Sequence, residues 1–246
     1  MEEYKGLEIT IEQDIDPTDP RESDNIGTMV CFHNRYNLGD TNHGFDNAET
    51  AQKDLAMELD KNVEDQIDYW ENEGYWKARE DLSNDHDRAA SYIDSKIDKI
   101  VEKAIEKNAY VLPLYLYDHS GITMNTGGFS CPWDSGQVGF IYARKDYADK
   151  ETPDPMKCLE GEVKEYDQYI SGEVYGFVIE DPEGHVDEES CWGFFGYDYC
   201  LEEAERTADW MYKEKIKAKC LNMIDTGKAS LLKLRHFNLL NAITTA

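Results

Sequence analysis

Four polar side chains with catalytic potential, Asp118, His119, Cys131 and Asp134, fall inside one glycine-rich stretch, DHSGITMNTGGFSCPWDSG (118–136). A cysteine nucleophile needs a nearby base, usually histidine, and a group that orients the base. These residue types supply all three, and they are the catalytic candidates if the chain is an enzyme. The stretch also holds Phe129 and Trp133 and lies between two apolar runs, VLPLYLY and QVGFIYA. It is the longest segment that reads as neither helix nor strand, and irregular loops longer than about 12–15 residues are usually functional or disordered. Its aromatic content argues for order, so the loop is expected to be packed, with Trp133 partly buried and available to line a binding pocket. Gly121, Gly127, Gly128 and Gly136 permit tight turns. Neither GxGxxG nor a GxxxxGK phosphate loop is present, and no basic residue lies in the stretch, so ordinary nucleotide binding is disfavoured. The local signatures of cysteine proteases are absent as well.

Metal chemistry finds weaker support. Asp14, Asp16, Asp19, Glu22 and Asp24 crowd one turn, which lacks the glycine and terminal glutamate of a helix-loop-helix calcium site. Zinc would have to gather Cys31, His33, His119 and Cys131 from distant segments. Only Cys31 and His33 are closely spaced, two apart on a strand and so on one face. No metal and no cofactor is expected. The six cysteines include no Cys-x-x-Cys pair and read as reduced thiols.

Charge bounds the partners. The chain has 52 acidic and 25 basic residues, net −27 over 246 residues. From Tyr212 onward only Glu214 and Asp225 oppose seven lysines and arginines, net +5, so residues 1–211 carry −32. Such a body is repelled by nucleic acid, whose binding depends on Lys and Arg at phosphates. It is attracted to basic protein surfaces, the grooves of DNA-binding proteins among them. The first residues lack the succession of a signal peptide, and no apolar run reaches the roughly 18 residues of a membrane span. The expected chain is cytosolic, with no membrane and no direct nucleic-acid partner.

Alternation predicts strands over GLEITIEQ (6–13) and IGTMVCFH (26–33), which pair if the long acidic turn between them closes a hairpin. Ala51, Leu55, Leu59, Val63, Ile67 and Trp70 form one helical stripe, with Asp54, Glu58, Asp65 and Asp68 on its outer side and Gly74 weakening its end. Ala89 to Ile105 carry a second stripe, so residues 48–107 read as an inserted helical hairpin. VLPLYLY and QVGFIYA are strands, with Pro113 favouring an edge or a bulge. Met156 to Ile170 form a third helix, EVYGFVIE and SCWGFFGY a hairpin, and Leu201, Ala204, Ala208 and Met211 a last helix reaching toward Lys215. Strands that arrive in adjacent pairs predict an α+β fold with a mainly antiparallel sheet and four amphipathic helices. The expected organisation is a single acidic domain over 1–211, then a basic segment over 212–246. Trp70 and Phe194 read as core.

Three segments, GTMVCFHNRYNLGD (27–40), LPLYLYDHSGITMNTGGFSCPWDSGQVGFIY (112–142) and GEVYGFVIED with CWGFFGYDYC (172–200), resemble a family of uncharacterised proteins from bacteriophages and mobile elements. CPWDSGQVGFIY is the most specific block, and the tail from Lys228 lies outside the likeness. No activity comes with the resemblance, and no catalytic residue is carried over. It implies the context of a phage accessory gene product inside a host cell. Joined to the acidity, it gives the leading expectation: a non-enzymatic binding protein that inhibits a host nucleic-acid-handling protein by DNA mimicry, through Asp54, Glu58, Asp65 and Asp68. The alternatives are an enzyme or a small-ligand-binding protein that uses the 118–136 loop.

Overall fold

The computed structural model describes residues 2–225; the tail from Lys228 lies outside them. In chain order the elements are β1 (Glu2–Tyr4), β2 (Leu7–Gln13), β3 (Thr28–Cys31), α1 (Ala51–Leu59), α2 (Asn62–Tyr69), α3 (Tyr75–Asp81), α4 (His86–Asn108), β4 (Ala109–Asp118) and β5 (Ile122–Asn125). There follow β6 (Ser135–Arg144), α5 (Lys145–Glu151), α6 (Pro155–Ile170), β7 (Val174–Glu180), β8 (Glu189–Phe195) and α7 (Tyr197–Asp225). All strand pairs are antiparallel, in two four-stranded sheets. The α+β class follows. Contacts divide the chain into two compact units, one from residues 1–18 with 168–246 and the other from residues 19–167. α7 runs unbroken through 211–212, where the sequence suggested a boundary.

The first unit carries the sheet β1-β2-β7-β8. Lys5 and Gly6, both at positive φ, close the β1–β2 hairpin, the two-residue turn whose twist matches that of the strands it joins. Leu7 and Ile9 of β2 and Phe177 and Ile179 of β7 bury against Cys200, Ala204, Ala208 and Met211 of α7. That stripe steps by four, four and three residues, and its next position is Lys215. The expected pairing of residues 6–13 with 26–33 does not occur. β2 pairs with β1 and β7, whereas β3 pairs with β6 in the other unit. Each strand satisfies its backbone with neighbours distant in sequence, and the long acidic connection closes no hairpin. The β7–β8 hairpin does form, as the sequence suggests.

The second unit carries the sheet β3-β6-β4-β5. β4 and β6 are neighbours, as adjacency in the sequence requires. Pro113 costs no ladder bond on the β5 side, because β5 pairs only with Tyr115–Asp118, and the β4–β6 register shifts at Leu114/Tyr115. Phe140, Ile141, Tyr142 and Ala143 are all buried. Phe140 and Tyr142 pack with Ala51 and Leu55 of α1, while Ile141 meets Leu159 of α6 around Gly27. A strand covered on both faces reads as a continuous apolar run, which is why QVGFIYA shows no alternation. Gly139 fits because its missing Cβ would stand 1.8 Å from the Val30 carbonyl oxygen.

The 48–107 region is a helical pair with one irregular arm. The stripe from Ala51 to Trp70 is broken at Asp60, whose backbone is extended, and α2 continues into α3 through a π-helical turn, Trp70–Gly74. Such turns inside α-helices are rare and local. Here the Trp70 ring lies where a Cβ on Gly74 would be, 2.6 Å away, so Gly74 admits the ring and does not end the helix. Ala56, Val63 and Ile67 bury against Val101 and Ala104 of α4. α5, β1 and β5 have no counterpart in the periodicity reading, being three to seven residues long, too short to show a period.

One ion-pair network organises the irregular segments of this unit. The Arg21 side chain is 4% exposed. It bonds Asp40 through Nε (2.7 Å) and Nη2 (3.1 Å), Glu162 through Nη1 (2.9 Å) and the Gly27 carbonyl through Nη2 (2.6 Å). Glu162 also accepts from the backbone N–H groups of Ile26 and Gly27, and Asp40 from that of Met29. Burial opposes the guanidinium charge, but the two carboxylates more than offset it and raise the Arg21 pKa. Arg21→Met should destabilise the chain by about 3–5 kcal/mol, because it leaves the part-buried Asp40 and Glu162 carboxylates without their counter-charge. Urea unfolding measures the loss; a change below about 1 kcal/mol would contradict this account. Gly139→Ala should cost about 1–3 kcal/mol by the same measurement, through its clash with the β3 backbone.

Candidate functional site

The stretch 118–136 is shorter as a loop than its sequence suggests. β4 runs to Asp118, β5 occupies Ile122–Asn125 and β6 begins at Ser135. Asn125 organises the glycine turn by accepting from Gly127 N (3.1 Å) and Gly128 N (2.7 Å). Asp167 ties β5 down, accepting from Thr123 Oγ1 and Met124 N at 2.7 Å each. The expected burial of Trp133 does not occur: it is 91% exposed. Phe129 supplies the apolar anchor in its place, its ring 5.6 Å from that of Tyr117. With that contact made, nothing covers Trp133, which follows Pro132 on the outer side of the turn.

Three of the four catalytic candidates converge. Asp134 Oδ2 lies 3.4 Å from His119 Nδ1 and 3.7 Å from Cys131 Sγ. Asp118 is turned elsewhere: its carboxylate meets Arg35 and the Tyr36 hydroxyl (3.4 Å), while its N–H donates to the Asp134 carbonyl. The aspartate stands between cysteine and histidine. Nucleophile activation needs the histidine in that place, because imidazole is intrinsically a far stronger base than a carboxylate. The arrangement orients an exposed histidine, 62% accessible. It does not assemble a cysteine–histidine pair.

The two buried cysteines, Cys31 and Cys200, are poor nucleophiles. Burial pushes the Cys31 thiol up to about 12, with Asp40 adding to the rise, and burial pushes Cys200 up to about 11. A thiol is reactive as its thiolate, so neither fits that role. The zinc set weighed from the sequence is not gathered either. Among the described residues, the one group of three or more candidate metal ligands is Asp181, Glu183 and His185, with ligand atoms within 4.8 Å of one another.

That group sits at the β7–β8 turn of the first unit, beside a buried lysine. Lys215 is 4% exposed. Its Nζ lies 2.8 Å from Asp181 Oδ1, 3.1 Å from Glu183 Oε2 and 2.8 Å from the Gly6 carbonyl oxygen, to which it donates. Lys219 also meets Glu183. Burial would raise the Asp181 pKa, but the Lys215 bond and the backbone N–H groups of His185 and Glu183 outweigh it and hold it at about 2. Lys215 moves up from 10.5: burial works against its charge, and the bonds to Asp181 and Glu183 prevail. It is therefore held as an ammonium and is no imine-forming amine. A divalent cation at Asp181–Glu183–His185 would face two ammonium groups already bound to those carboxylates, so the cluster is an ion pair in chemistry. A groove of about 670 Å³ adjoins it, lined by Lys5, Tyr212, Lys215 and Lys219 among others. The basic run from Tyr212 thus begins as the counter-charge of this turn. Its sequence signal is Lys215 on the inward stripe of α7.

The acidic residues singled out from the sequence differ in setting. Asp54 is half-buried and accepts from Thr50 Oγ1 at 2.8 Å, and Glu58 stands 4.0 Å from Arg144. Asp65 and Asp68 are exposed on α2, as are Glu64 on the same helix and Glu73 on the π-helical turn that follows, and none of these four is in an ion pair among the described residues. The break at Asp60 separates α1 from α2, so no single straight helix carries the whole row.

One cavity escaped the sequence reading. The longest described connection without helix or strand is residues 32–50, not 118–136. Residues 31–48 line a cavity of about 740 Å³. The signal was available in RYNLGDTNHGFDN: many asparagines, two histidines nearby and no periodicity.

No protein-family model matches the chain, and no curated protein or solved structure matches it either.

Two outcomes are expected. His119→Ala and Trp133→Ala should each change unfolding free energy by less than about 0.5 kcal/mol, since both side chains are exposed. For Asp181, the folded pKa of about 2 lies below the ordinary 3.8. Its stabilisation is therefore present above about pH 4 and lost as pH falls toward about 2. The stability gap between wild type and Asp181→Asn, measured by urea unfolding, should shrink across that window and stay constant from about pH 5 to 8. A gap that does not change below pH 4 would contradict the ion pair.

Proposed function

We propose that the chain is a non-enzymatic, phage-encoded acidic binding protein. It engages a basic surface of a host nucleic-acid-handling protein and inhibits it by presenting carboxylates where phosphates would lie. The observation that carries this reading is the exposed set Glu64, Asp65, Asp68 and Glu73 on α2 and its π-helical continuation, free of ion pairs. Like charges one helical turn apart, such as Glu64 and Asp68, destabilise an isolated helix by about 0.2–0.5 kcal/mol. Here Val63 and Ile67 hold the helix through burial against α4, so the repulsion is borne by packing and the charge remains on display. A body of this sign disfavours direct nucleic-acid binding. It favours fast association with a cationic groove. Catalysis has less support, because the aspartate-centred arrangement at 118–136 lacks a cysteine–histidine contact.

The test is inhibition of purified restriction and CRISPR-type nucleases. Inhibition should weaken steeply as salt rises from about 50 to 200 mM, because exposed charges are screened over roughly 10 Å. Reversal of the set (Glu64→Lys, Asp65→Lys, Asp68→Lys and Glu73→Lys together) should reduce it at least about tenfold, about 1.4 kcal/mol of binding, with the circular-dichroism melting curve retained. Equal inhibition by the folded variant would reject the reading.

A further inference from the structure

The open cleft lined by residues 31–48 presents a set of polar groups beside aromatic rings. Its volume, about 740 Å³, lies in the range of small-molecule pockets, about 300–1,000 Å³. The segment is irregular but firmly held. Asp40 is gripped by Arg21 and by Met29 N (2.8 Å), Gly39 N donates to the Tyr166 hydroxyl (2.8 Å), and Leu38 and Phe45 are buried. Gly39 has φ +69°, and a Cβ there would stand 2.6 Å from the Met29 carbonyl oxygen. Ring contacts continue the fastening: His43 packs with Phe32 and Phe45, and His33 stacks on Tyr36.

The lining excludes most ligand classes. No lysine or arginine lines the cavity, which disfavours phosphates and carboxylates. The Asp40 charge is matched by Arg21, leaving Asp46 as the uncompensated carboxylate of the lining, too little to define a site for a polycation. The histidines are also poor metal ligands. His33 Nδ1 accepts from Arg35 N and Tyr36 N at 3.3 Å, and His43 Nδ1 accepts from Phe45 N at 3.1 Å. A ring nitrogen that accepts carries no proton, so in both rings the N–H donor is Nε2. What remains is a set of neutral hydrogen-bonding groups beside aromatic rings. The Asn34 and Asn37 amides and the Thr41 hydroxyl have no hydrogen-bond partner among the described residues. Each amide can donate and accept at once, which suits neighbouring hydroxyl groups. Phe32 and Tyr36 are half-buried and provide apolar surface for the C–H face of a sugar ring.

We infer that the 31–48 cavity binds an uncharged saccharide through Asn34, Asn37, Thr41 and the histidine Nε2–H groups, against the Phe32 and Tyr36 rings. The inference is independent of the acidic face on α2. The test is two-dimensional amide NMR of the full chain titrated separately with maltose, cellobiose and N,N′-diacetylchitobiose. At least one should give saturable shifts centred on residues 31–48, with Kd at or below about 1 mM. Asn37→Ala, an exposed change with no bond to lose in the free protein, should weaken that affinity about tenfold and leave the rest of the spectrum unchanged. Three outcomes would each overturn the inference: no saturable shifts with any of the three sugars, shifts centred outside residues 31–48, or an affinity that Asn37→Ala leaves unchanged.

Discussion

Neutralising a buried cation is the constraint on which both units depend. Arg21 in one and Lys215 in the other are almost fully enclosed, and each is met by two carboxylates and a glycine carbonyl. An enclosed charge without partners costs several kcal/mol. Each cation therefore dictates where its carboxylates, and the segments that carry them, must lie. Arg21 draws in Ile26 and Gly27 through Glu162, and Met29 and the middle of the cavity loop through Asp40. Lys215 joins α7, the β1–β2 turn and the β7–β8 turn. In a chain of net charge −27, these few cations are well placed to order acidic loops that would otherwise repel one another.

The same excess of acid has two different fates. Asp40, Glu162 and Asp181 are consumed inside networks, hydrogen-bonded to a buried cation and to backbone N–H groups. Glu64, Asp65, Asp68 and Glu73 stay in solvent, on a helix whose packing comes entirely from its other face. Composition treats these residues alike. Only their position relative to the apolar stripe separates structural acid from displayed acid, and in α2 that stripe was readable from Val63 and Ile67.

Legibility of the sites ran in the opposite sense to the attention that their residues attract. Segment 118–136, rich in reactive side chains, folds into a short strand and two tight turns, with Asp134 between His119 and Cys131. The meeting of these three was suggested by residue type, but their order in space was not, because it depends on turn geometry set by Asn125 and on the β4–β6 register. The 32–50 segment looked like plain connection. Its cavity exists because Asp40, Gly39 and Phe45 are fastened to groups far away in sequence, and no local pattern records such anchors.

By itself the sequence determined the antiparallel α+β class, the β4–β6 and β7–β8 pairs and the amphipathic helices, because each rests on local periodicity and adjacency. It also determined the net charge of −27. Tertiary structure alone decided that β2 and β3 belong to different sheets, which carboxylates meet Lys215, that Trp133 lies outside and that a cavity opens in the longest loop. Those outcomes depend on contacts between residues far apart in the chain, whose energies of a few kcal/mol are settled by burial and pairing that no local window contains.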